Sequence, residues 1–102
     1  RSYMELPRYP ASERDLALLV DKEVAAADLQ RSIRERGGKL LKDLEIFDLY
    51  QGERIPGDKK SLAFRLVFQA GDRTLTDEEV NERIEAIIKE LEEKFSAKIR
   101  GN

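Results

Sequence analysis

"LEIFDLYQGERIPGDKKSLAFRLVFQ", residues 44–69, places two apolar runs on either side of a turn-rich segment. The second run is regular. Leu62, Phe64, Leu66 and Phe68 alternate with Ser61, Ala63, Arg65 and Val67, the period of a strand with one buried face. The first run slips: Leu44 and Ile46 share one parity, Phe47 and Leu49 the other. One extra residue near Ile46–Phe47, a β-bulge, returns all four to the core and turns Glu45, Asp48 and Tyr50 outward together. Gly52, Pro56 and Gly57 mark the connection between the two strands.

Moving outward from this pair, "RDLALLVD" (14–21) alternates Leu16, Leu18 and Val20 with Asp15, Ala17 and Leu19, a further strand. "KEVAAADLQRSIRERGG" sets Val24, Leu29 and Ile33 at helical spacing and ends on Arg34, Arg36 and the Gly37-Gly38 pair, a helix stop. After the hairpin, Thr76 and Glu79 form a capping box. Val80, Ile84, Ile87, Ile88, Leu91 and Phe95 then make one apolar helical stripe. "AKIRG" is a short last strand with Ile99 inward and Lys98 and Arg100 outward. The order is βαββαβ. Two helices with one apolar stripe each must cover one side of a four-stranded antiparallel sheet, leaving the other bare. The expected fold is α+β, a ferredoxin-like sandwich with strand order 4-1-3-2. Residues 1–12, with Pro7 and Pro10, read as an extended lead-in, and 13–102 as the folded domain.

A chain of 102 residues holds one core. It contains neither cysteine nor histidine, which removes disulfide and thiolate chemistry, the usual general base near neutral pH and the commonest metal ligand. Its apolar runs are too short to span a bilayer, and it opens on Arg1 rather than methionine, as an excised or processed piece would. Net charge is −2 but uneven: eight acids against three bases make residues 77–94 a local −5, the solvated face of the second helix, and leave +3 on the remainder. No Gly-rich phosphate loop or metal-ligand cluster is present. An acylphosphatase-like enzyme on this topology needs an arginine-lined anion loop after the first strand; "DKEVAAAD" has no glycine there.

The bare sheet face should carry Asp15, Ala17, Leu19, Asp48, Tyr50, Ser61, Ala63, Arg65, Val67 and Arg100. Such a face is a mixed surface with an aromatic at one end. Exposed aromatics on flat sheets are platforms on which unpaired bases stack.

"RDLALLVD", "LEIFDLYQG", "IPGDKKSLAFRLVFQ" and "RTLTDEEV", in this order and spacing, resemble the ferredoxin-fold anticodon-binding domain at the C-terminus of the bacterial phenylalanyl-tRNA synthetase beta subunit, over roughly residues 7–100. The resemblance implies a module that binds the anticodon stem-loop of phenylalanine tRNA. It implies that the first anticodon base, guanine, stacks on Tyr50, with Asp48 and Ser61 in the same pocket. Ala63 is small enough to admit a base close to the sheet. Arg65 and Arg100 are assigned to phosphate contacts on their expected facing alone. The resemblance further implies no catalysis and no cofactor in this domain. ATP and magnesium would serve the parent enzyme elsewhere, in a cytoplasmic assembly of two alpha and two beta subunits, and the separate domain would be monomeric. The alternative is a small-ligand, amino-acid-sensing regulatory domain of the same topology, which should dimerise and hold a pocket on its helix side or at an interface.

Overall fold

The computed structural model describes residues 9–101. Most of the expected lead-in, residues 1–8, and Asn102 lie outside them. The described elements run β1 (Ser12–Asp21), α1 (Ala26–Gly37), a 3₁₀ turn (Gly38–Leu40), β2 (Leu41–Tyr50), β3 (Lys59–Phe68), α2 (Asp77–Phe95) and β4 (Lys98–Gly101). The strands form one sheet in the order β2-β3-β1-β4, every pairing antiparallel. This is the expected 4-1-3-2 order read from the other edge.

The two central strands supply the core because their alternation is unbroken. Leu16, Leu18 and Val20 of β1 and Leu62, Phe64, Leu66 and Phe68 of β3 are all essentially inaccessible to water. They form one cluster with Leu29 and Ile33 of α1 and Val80, Ile84, Ile87 and Leu91 of α2. Both helices therefore lie on the same face of the sheet. Burial of about 25 cal/mol per Å² of apolar surface makes this cluster the main stabilising term.

The helix ends follow local chemistry. Thr76 caps α2, its hydroxyl accepting from Glu79 N–H at 3.1 Å while the Glu79 carboxylate accepts from Thr76 N–H at 3.0 Å. α1 starts at Ala26, later than the apolar spacing from Val24 suggests. Val24 N–H instead closes a turn on the Asp21 carbonyl at 3.1 Å, and the Val24 side chain still packs against the core. Gly38 ends α1 with φ 65° and ψ −153°, a region that essentially only glycine occupies.

The β2–β3 register carries the bulge. Ile46 pairs with Phe64 and Asp48 with Ala63, so Phe47 is the extra residue without a Cα partner; a second irregularity lies at Lys42. Leu44 is buried and Ile46 partly buried, as the alternation requires. Phe47 and Leu49 do not reach the core: they are 46% and 59% exposed. Leu49 has core-side parity opposite Leu62, so its exposure shows that the helices stop short of this end of β2. Phe47 turns to the open face, where its ring lies under the Arg65 guanidinium, 4.8 Å from the ring centroid.

Candidate nucleic-acid interface

Period-two alternation on β3, continued across the pairs, lays out the open face in rows. Tyr50 stands opposite Ser61 and Ser61 opposite Leu19. The next row is Asp48, Ala63 and Ala17, and beyond the bulge comes Glu45, Arg65 and Asp15. The alanines flatten the middle of the sheet. On β4 the pairing slips between Ile99, opposite Leu18, and Gly101, opposite Ala17, so Arg100 is bulged. Its guanidinium crosses β1 and donates to Ser61 Oγ at 3.2 Å.

These features converge on an open hollow of about 450 Å³ lined by Asp48, Tyr50, Arg54, Ser61 and Arg100. That volume falls within the roughly 300–1,000 Å³ of small-ligand sites. The lining joins an aromatic ring 39% exposed, a carboxylate, a hydroxyl and two guanidinium groups. A π-face with acceptors and donors around it suits a planar heterocycle with a polar edge, and the cations suit an attached phosphate. Ser61 already accepts the Arg100 donor, which leaves its own hydroxyl proton free to donate.

Four of the six residues singled out from the sequence, Asp48, Tyr50, Ser61 and Arg100, line this hollow. Ala63 sits beside it, opposite Asp48. Arg65 stands apart, one row along, with Asp15, Glu13 and Glu45 carboxylates at 3.3, 3.6 and 3.8 Å and the Phe47 ring beneath it. A phosphate reaching Arg65 would have to compete with three acids. Arg54 was not anticipated. It lies in the β2–β3 connection, where no periodicity tells which way a side chain points, and only its turn signals were legible.

Lys59 and Lys60 open β3 near the hollow without lining it. Lys59 is paired with Asp21, and that hydrogen bond, the largest influence, raises its pKa above the ordinary lysine value. The acidic residues of α2 belong to the opposite layer. There Glu90 pairs with Arg36 of α1 at 3.2 Å, and Arg83 donates to the Arg36 carbonyl at 3.3 Å. Among the described residues no group of three or more potential ligands is placed to hold a metal ion, and no described helix is long and apolar enough to cross a membrane.

Comparison with known proteins points to one family. The family model of the ferredoxin-fold anticodon binding domain matches residues 7–100. The chain is 46% identical over 100 residues to the phenylalanine–tRNA ligase beta subunit of Clostridium tetani, covering 98% of this chain and 13% of that protein. It is 51% identical over 100 residues to the same subunit of Halalkalibacterium halodurans, covering 98% of this chain and 12% of that protein. The Listeria monocytogenes serotype 4b subunit is 49% identical over 98 residues, covering 96% and 12%. The chain thus spans about an eighth of the length of these relatives. By fold, open-face geometry and a match across nearly its whole length, the chain belongs to the ferredoxin-fold anticodon-binding domain family.

Proposed function

We propose that this chain is the anticodon-binding domain of a phenylalanine–tRNA ligase beta subunit and holds the anticodon stem-loop of phenylalanine tRNA on its open sheet face. The observation that carries this is the hollow: Tyr50, Asp48, Ser61, Arg100 and Arg54 meet at one end of the face with no helix over them. Tyr50 supplies the stacking ring, Asp48 and Ser61 the base-edge acceptor and donor, and Arg100 and Arg54 the phosphate contacts. Ala63 keeps the floor low, and Arg65 lies at the margin. A stacked base with a reader at its edge separates affinity from specificity, since base-edge contacts rather than phosphate contacts carry sequence information.

The domain positions and recognises; aminoacylation, with ATP and magnesium, belongs to a catalytic subunit in a cytoplasmic two-alpha, two-beta enzyme. The separate domain is a monomer that binds in the weak range of roughly 10⁻⁴–10⁻⁶ M, because other parts of the synthetase hold the tRNA body. The family match and the relatives give no support to the small-ligand regulatory alternative.

NMR titration of the 102-residue chain with the phenylalanine anticodon stem-loop tests the proposal. Shifts should centre on Asp48, Tyr50, Arg54, Ser61 and Arg100. Base–aromatic stacking is worth about 1–3 kcal/mol, so Tyr50→Ala should weaken binding roughly 5- to 150-fold and Tyr50→Phe much less. Asp48→Asn should relax the preference for guanine at the first anticodon position. Shifts centred on α1 and α2, or binding indifferent to Tyr50→Ala, would refute it.

A further inference from the structure

The glycine that follows the tyrosine by two residues has no backbone reason to be a glycine. Gly52 has φ outside the left-handed region, so its φ does not call for a glycine. It also sits in a held segment. Ile55 N–H donates to the Gly52 carbonyl at 3.2 Å and the Ile55 side chain is buried. Lys59 N–H closes on Pro56 at 3.0 Å, and Lys22 N–H on Asp58 at 3.0 Å. What this position does exclude is a Cβ, which would fall on the hydroxyl and Cζ of Tyr50. The tyrosine ring folds back over the bare glycine and occupies the space a side chain would need.

We propose that Gly52 is the positioning residue for the Tyr50 platform: its missing side chain seats the ring at the wall of the hollow. The proposal rests on the anticodon-binding reading and adds to it a residue that need not touch RNA. Because hydrogen bonds and Ile55 hold the segment, a methyl group at position 52 is accommodated by moving the ring rather than the backbone. The stacking surface is then lost although every residue lining the hollow is still present.

The test is a double-mutant cycle of the unsubstituted chain, Tyr50→Ala, Gly52→Ala and both together, each titrated with the phenylalanine anticodon stem-loop and melted thermally. Gly52→Ala should weaken binding by about 5-fold or more, up to the loss caused by Tyr50→Ala. Added to Tyr50→Ala it should change binding by less than about 2-fold, because its effect passes through the ring. In that background Tm should stay level or rise, since alanine restricts the unfolded chain where the native φ suits it. A generally damaged loop would lower both. The unsubstituted chain should also show an NOE between Gly52 Hα and Tyr50 Hε. Its absence overturns the proposal even if Gly52→Ala does not fold. So does wild-type binding by Gly52→Ala, or an equal loss with and without Tyr50. If Tyr50→Ala itself binds normally, the stacking reading fails and this one with it.

Discussion

Deleting Phe47 should leave the fold and every other side-chain orientation in the hairpin in place. Ile46 pairs with Phe64 and Asp48 with Ala63, so removing the residue between them restores a regular ladder without shifting either flank. The loss is what Phe47 contributes itself. It is 46% exposed, so about half the 1.5–3 kcal/mol of a fully buried side chain is at stake. The exposed contact with Arg65 adds about 0.5–1 kcal/mol. The recovered strand pair offsets part of this, which puts the net effect within about 2 kcal/mol. Deleting Ala63 from the regular strand β3 is the contrast. It forces a one-residue slip that carries Leu62, 1% exposed, towards water and Ser61 towards the core. Two such reversals, with ladder bonds broken, exceed about 4 kcal/mol, much of a small domain's typical 5–15 kcal/mol. Urea unfolding followed by far-UV circular dichroism reads both, since the chain has no tryptophan. If deleting Phe47 destabilises as much as deleting Ala63, Phe47 is a core residue and the bulge is misplaced.

Gly38→Ala should destabilise by about 1–3 kcal/mol, because φ 65° with ψ −153° strains any side chain; an unchanged denaturation midpoint would refute this. The Glu79 carboxylate is held below the usual carboxylate range, first by the Thr76 backbone N–H and then by Arg73. A depressed folded pKa contributes stability that is complete above the ordinary glutamate value and fades as pH falls through the folded one. Thermal melts should therefore separate the unsubstituted chain from Glu79→Gln at pH 7 and bring them together in strong acid; a gap that persists there would show that the carboxylate's charge is not responsible. Charge reversal at Glu85 or Glu92, on the layer opposite Tyr50, should change stem-loop affinity only slightly and through a field that salt screens. A large, salt-resistant loss would mean that RNA binds the helix layer.

The order of elements, the one-sided core and the outward facing of Asp48, Tyr50 and Ser61 were all legible in the sequence. Each follows from a short-range period: two along Leu62–Phe68, about 3.6 along Val80–Phe95, and the Thr76–Glu79 spacing at a helix start. The slip between Ile46 and Leu49 announced a bulge in the same way. Two ways of resolving that slip give the same outward Glu45, Asp48 and Tyr50, and differ only in Phe47. Hydrophobicity favours turning the ring in. Tertiary structure decided otherwise, because the helices end before this part of β2, as the exposure of Leu49 shows, while Arg65 offers a cation on the other face. The same dependence on distant neighbours governs the rest of the site. Arg65 is surrounded by acids from β1 and β2, and Arg100, bulged on β4, reaches across β1 to Ser61 on β3. Arg54 and Gly52 are placed by a loop with no repeating pattern, held through Ile55. Periodicity tells which face a side chain takes, and it is written in neighbouring residues. What that side chain meets on the face depends on chain segments brought together only by folding.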